Sequence, residues 1–331
     1  MMKKNVFLSV ALLVLMAVGA FAQTDDMAWK AVENSPFGTS AVYDIVFASN
    51  TFVAVGAAGK IAYSTNGQTF VAVANSQFGT SAIRAVAFGG NRFVAVGDAG
   101  KAAYSADGGR TWTAVANTGF GTSNILGVAW GGNRFVAVGQ AGKIATSTNG
   151  QTWTMVPAAS QPTRGNLVAV AFGNNRFVIA EGEYECKMWY SADGAAWTAV
   201  RDTGFSYDGG DNIVNITWAN NMFFAVGANG SKGASAWSHL AYSRDGVTWT
   251  PPTENSGLIA MTVNDVAFAA GRYVAVQDYG IYYSTDNVTW RYINADYNVI
   301  GGGFRGVAYG ANRFVVAGPR GALAYLDWTA R

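Results

Sequence analysis

One pattern returns seven times along this sequence, and it limits the fold more than any other feature. Aromatic anchors stand at Phe47, Phe88, Trp130, Phe172, Trp218, Phe268 and Tyr309, spaced by 41, 42, 42, 46, 50 and 41 residues. A period of this length marks a repeat architecture, because one unit cannot bury its apolar face without neighbours. Residues 84–112 show the unit best: RAVAFGGNRFVAVGDAGKAAYSADGGRTW. A short strand ends in the anchor aromatic, and Gly89, Gly90 and Asn91 supply the positive φ of a tight hairpin. Arg92 to Gly97 is a Phe/Val/Ala run without polar alternation, as expected of a strand covered on both faces. A Gly-containing turn leads to a third strand ending at Tyr104, and the turn 105–110 opens a fourth strand at Thr111 and Trp112. Four short strands per unit, seven times over, predict an all-β, seven-bladed β-propeller with four-stranded antiparallel blades.

The third turn carries a family resemblance. Ser105, Asp107, Gly109 and Trp112 fall on Ser-x-Asp-x-Gly-x-Thr-Trp, which resembles the Asp-box (BNR-like) repeat of sialidase-like propellers. Versions one residue shorter recur at 64–70, 147–153, 191–197, 243–249 and 284–290, with Asp193, Trp197, Asp245, Trp249, Asp286 and Trp290 in the matching places. The chemistry suits the turn: Asp or Asn accepts N–H bonds inside its own loop, and Gly relieves the strained position. WD-repeat and Kelch signatures do not fit, for want of a closing Trp-Asp and because Gly-Gly-Asn precedes the second strand. Sialidases also carry an Arg-Ile-Pro signature, which is absent here, so none of their catalytic residues is carried over.

The two ends of the repeat predict how the ring closes. The seventh unit stops at Arg331 without room for a full fourth strand, whereas residues 28–40 resemble the fourth strand and exit loop at 111–123. The N-terminal strand is therefore expected to complete the last blade. Before it, Lys3 and Lys4, an apolar run from Val6 to Val18 and Ala20-Phe21-Ala22 read as a bacterial signal peptide cleaved after Ala22. The expected organisation is a signal peptide over 1–22 and one propeller domain over 23–331, secreted or periplasmic, monomeric and without a membrane span. The single cysteine, Cys186, leaves no internal disulfide and reads as a small hydrophobe. Net charge is +2, which gives no reason to expect nucleic acid as a partner.

Candidate sites follow from where the repeat is broken. Turns after strands two and four share one end of the propeller, and the insertions of blades four to six all fall there. They hold Glu181, Glu183, Tyr184 and Glu185, then Tyr207, Asp208 and Asp211, then Trp237 and the lone His239, with Asp278 and Tyr279 in the matching turn of blade six. A regular scaffold that varies on one sector suggests a binding surface for an envelope or extracellular protein or glycan; tolerated loop drift is the alternative. A second candidate is the channel mouth, where Asp44, Asn215 and Asp265 reach the axis with Arg84 and Arg305 further out. They read either as satisfied polar groups around water or as paired carboxylates of a glycoside hydrolase, Asp44 with Asp265. The arginines of the Asn-Arg-Phe turns, Arg92, Arg134, Arg176 and Arg313, are expected only to solvate the opposite end. One histidine excludes a His-rich metal site and argues against a Ser-His-Asp triad; no Gly-x-Ser-x-Gly elbow or phosphate loop occurs, and no cofactor or metal is expected.

Overall fold

The computed structural model describes residues 28–182, 186–205, 212–228, 240–251, 257–258, 262–293 and 302–328. They form seven antiparallel sheets in a ring, a seven-bladed propeller. The innermost strands are Val42–Ala48, Ile83–Gly89, Ile125–Gly131, Leu167–Gly173, Asn212–Ala219, Val263–Ala269 and Gly306–Gly310. Each pairs with a buried second strand, such as Thr51–Gly56 in blade one or Arg92–Gly97 in blade two. The fourth strands are only two residues long, and in blade five the described residues give a single bridge between Tyr242 and Thr250. Short outer strands leave little unpaired edge. In blade two the fourth strand is Thr113–Ala114, so Thr111 and Trp112 belong to the preceding turn rather than opening the strand.

Among the described residues apolar packing lies between blades rather than in one central core. Each of the seven buried clusters joins two neighbours, as when Val53 and Val55 of blade one meet Phe93, Ala95 and Trp112 of blade two. This explains the unbroken apolar run of every second strand, since both its faces are covered. The anchor aromatics tilt against the second-strand ring of their own blade, with centroids 4.5 Å apart for Phe47 and Phe52 or Trp130 and Phe135. Each also lies over the preceding blade: a Cβ on Gly89 would fall inside the Trp130 ring, so glycine is needed there for space.

Closure follows the sequence expectation. Lys30–Ala31 pairs with Leu323–Asp327, giving blade seven the strand order closing strand, third, second, first. Trp29 occupies the place that Trp112 holds in blade two and is buried against Val276, Phe304 and Phe314. The Val32 N–H adds a bond to the Leu323 carbonyl at 2.8 Å.

The Ser-x-Asp/Asn turns are tight hydrogen-bond cages. In blade six Ser284 donates its hydroxyl to Asp286 and accepts the Asn287 N–H, while Asp286 accepts the N–H groups of Val288 and Thr289. Those N–H bonds hold the Asp286 carboxyl down at about 2.

The arginines of the Asn-Arg-Phe turns do more than solvate the far end. They are half-buried between blades, with Arg176 over the Tyr190 ring and Arg313 over Tyr325. Arg134 and Arg176 reach the next blade and donate to the backbone carbonyls of Asp193 and Asp245, at 3.0 and 2.7 Å. Arg92 and Arg313 precede blades whose turns carry Asn149 and Asn66, and each keeps two buried guanidinium nitrogens without a partner. An Asp attracts the guanidinium where an Asn does not. Blade one has Thr51 in place of this arginine, and Arg110 fills the gap. It comes from the extra residue of the blade-two turn, lies 5.4 Å from the Tyr63 ring, and donates to the Asp107 carbonyl.

Candidate functional site

Two neighbouring features open on the end that carries the second and fourth turns. The first is the axial channel, a cavity of about 950 Å³ lined by Tyr43, Asp44, Arg84, Asn215, Asp265 and Arg305 among others. The acids reach the axis because the innermost strands bulge where they stand, between Val42 and Asp44 and between Val263 and Asp265. Each carboxylate then bridges two blades. Asp44 accepts the Ile45 N–H of its own strand and the Val86 N–H of blade two. Asp265 accepts the N–H groups of Val266 and of Val307 in blade seven, and an amide hydrogen from Asn215 at 3.3 Å. Burial raises Asp44 to about 6 against the lowering effect of its N–H bonds. Burial also raises Asp265, to about 8, and the Asp44 charge adds to that. Outside them, Tyr43 lies between two guanidinium groups, Arg84 at 5.1 Å and Arg305 at 5.6 Å. Arg84 is held by a two-bond pair with Asp98, at 2.8 and 2.9 Å.

The second feature is a groove of about 970 Å³ over blade seven. Among the described residues its walls are the exit loop of the closing strand (Asn34, Ser35), the turn Pro319–Gly321, Gly302 and Gly303, and the turn of blade six. Tyr279 overhangs it and is 69% exposed. Asp278 is tied down, accepting from Asn264, whose amide also caps the Phe304 carbonyl. Arg305 stands at both the groove and the channel, so the two features share one rim.

Of the loop residues singled out in the sequence, Glu183, Tyr184, Glu185, Tyr207, Asp208, Asp211, Trp237 and His239 lie outside the described residues. Glu181 is buried at the end of the second strand of blade four and accepts the Thr163 hydroxyl at 2.8 Å. Cys186 is buried in the cluster between blades four and five. Asp44, Arg84, Asn215, Asp265 and Arg305 all line the cavity. Tyr43, Asn264, Arg320 and Ala322 went unread in the sequence, although laying the seven repeats side by side would have exposed the last two. Among the described residues no group of three or more His, Cys, Asp or Glu side chains is placed to hold a metal, and no helix is long and apolar enough to cross a membrane.

Ring, blade count and channel place the chain among seven-bladed propellers. The family model of the DUF6242 beta propeller domain matches residues 74–205. Among solved structures, YCF48 from Cyanidioschyzon merolae is similar at 20% identity and a TM-score of 0.65, over 90% of this chain and 98% of that one. YCF48 bound to D1 peptide is similar at 16% identity and a TM-score of 0.68, over 91% and 95%. Virginiamycin B lyase from Staphylococcus aureus, solved with quinupristin, is similar at 12% identity and a TM-score of 0.71, over 91% and 98%. These likenesses are of fold. No curated protein matches the chain.

Proposed function

We propose that the chain is an exported, non-enzymatic binding module that holds a protein or glycan of the cell envelope on the end of the propeller formed by its second and fourth turns. The observation that carries this reading is the asymmetry of that end. An exposed tyrosine and a groove of about 970 Å³ gather on the side of blades six and seven, while the matching hollow of blade one has about 320 Å³. Large rigid aromatics beside polar groups are what recognition surfaces use. A propeller of similar fold, YCF48, has been solved with a bound peptide. We read the Ser-x-Asp/Asn turns as Asp-boxes, which places the chain near sialidase-like propellers in the broad sense and gives those turns a structural role. Residues 1–22 are read as the export signal.

The test is capture from solubilised envelope by the mature chain, starting at Gln23, against a Tyr207→Ala, Trp237→Ala, Tyr279→Ala variant. A protein or glycan retained by the first and lost by the second is the expected result. Equal recovery by both would remove this end as the binding surface.

A second reading, a carbohydrate-active enzyme, draws on the raised pKa of Asp265, since a carboxylic acid protonated near neutrality can act as a general acid. Against it stands the engagement of both acids in bonds between blades. Assayed on a panel of aryl glycosides, the wild type is expected to show no turnover. Hydrolysis that falls at least 100-fold in both Asp44→Asn and Asp265→Asn would reverse that assignment.

A further inference from the structure

We propose that the groove over blade seven receives an extended, acidic peptide segment of the partner, and that Arg305 and Arg320 take its carboxylates. This rests on the binding-module reading and names the subsite and the chemistry of the partner. The repeat supplies an internal control. In blade one the equivalent hollow, where Asn75, Ser76 and Gly79 stand in place of Asn34, Ser35 and Gly38, has a volume of about 320 Å³. The groove of blade seven is three times larger. One cause is a missing side chain. Lys60, Lys101 and Lys143 each fold back over their own blade and donate to the carbonyl of Phe37, Phe78 or Phe120. Blade seven has Ala322 at that position, and its Phe304 carbonyl is capped from the side by Asn264 instead. The space a lysine occupies in the regular blades is thereby left open.

Charge is the second departure. The turn position filled by Ala58, Ala99 and Ala141 in blades one to three, at φ of 55 to 57°, holds Arg320 in blade seven at φ 53°. A long side chain at a left-handed position that its counterparts give to alanine contributes nothing to the turn. Among the described residues Arg320 has no ion pair or hydrogen bond, and Arg305 is exposed with only the Tyr43 ring beside it. The acid that lines the groove, Asp278, accepts one hydrogen bond from the Asn264 amide and keeps its charge. Among the described residues the groove sets two guanidinium groups against one carboxylate, Asp278, and that net positive charge favours an anionic ligand. The volume is at the upper end of the range for compact ligand pockets, room for several residues rather than one small anion. Exposed Tyr279 offers an apolar face beside the arginines for an aromatic or aliphatic side chain of the same segment.

The experiment pans a displayed library of random linear octapeptides on the mature protein. Enriched sequences are then synthesised and measured by fluorescence polarisation against wild type, Arg320→Ala, Tyr279→Ala and Arg201→Ala. Alanine is the native residue at this φ in three other blades, so Arg320→Ala keeps the fold. Arg201→Ala removes the same charge from blade four as a control. Enrichment in Asp and Glu is expected, with binding weakened at least tenfold by Arg320→Ala, weakened by Tyr279→Ala, and unchanged within twofold by Arg201→Ala. Affinity falls as salt is raised. No enrichment, enrichment without acids, or binding indifferent to Arg320→Ala overturns the proposal. Envelope capture retained by Arg320→Ala would sink this subsite and leave the binding-module reading standing. Acidic peptides bound through Arg320 with no envelope partner captured would do the reverse.

Discussion

Deletion of residues 28–34 is expected to abolish the cooperative thermal transition, and Trp29→Ala alone to lower stability by about 3 kcal/mol or more. The ring explains why so short a segment matters. Its strand is only Lys30–Ala31, yet Trp29 fills the cluster between blades six and seven, and Val32 fills the one between blades seven and one. Without them two of the seven junctions lose apolar cover, and the third strand of blade seven becomes an open edge. The indole N–H of Trp29 is buried without an acceptor, which places the point mutant toward the lower part of the usual Trp→Ala range. Differential scanning calorimetry decides the matter. A single transition at an unchanged temperature in the deletion would show that blade seven holds the ring without its closing strand.

The second large effect concerns pH. Stability is expected to fall as pH rises from about 4 to about 8.5, and Asp265→Asn to flatten that slope. The sign follows from the direction of the shift. Burial lifts the Asp265 carboxyl from an ordinary 3.8 to about 8, so in this window the folded chain keeps a proton that the unfolded chain has released. Its contribution is full below the unfolded value and is lost as pH climbs through the folded one. Asp44, raised to about 6, adds in the same direction. Carboxylates of the Ser-x-Asp turns act oppositely but lower down. Asp286, near 2, and Asp107, also near 2 once its hydrogen bonds outweigh burial, cost stability only as pH drops below about 4. The Asn variant keeps the bond from Val266 but turns an amide toward the Val307 N–H. It should therefore be about 1 kcal/mol less stable than wild type at pH 5 and no less stable at pH 8.5. Urea melts at the two pH values show whether the curves cross; parallel curves would remove Asp265 as the titrating group.

The ring was legible in the sequence because its signal is redundant. Seven anchors, the repeated Gly-Asn hairpins and the Ser-x-Asp/Asn turns all report one period. The closing strand was legible because Trp29, Lys30 and Ala31 copy the pattern of Trp112, Thr113 and Ala114. Pairings across blades were not. Asp44 meets the N–H of Val86, 42 residues on, and nothing in the local sequence says that a channel acid will cap the next blade's bulge. The Asn-Arg-Phe arginines looked like surface charge because their cover, a tyrosine ring and a carbonyl of the next blade, comes from elsewhere in the chain. The blade-seven groove is defined by an absence, Ala322 where blades one to four have lysine, and a motif search finds what is present.

Arg110 bears on how such a ring can change. Its cation serves blade one, which lacks its own, but it is encoded within blade two. A chimera that imported blade two after a blade with its own arginine would crowd two cations into one crevice. Blade one placed before an ordinary turn would have none. Recombination at blade boundaries therefore breaks a matched pair, while a crossover inside a blade keeps it together. The heritable module of this ring is the seam between two blades rather than the blade.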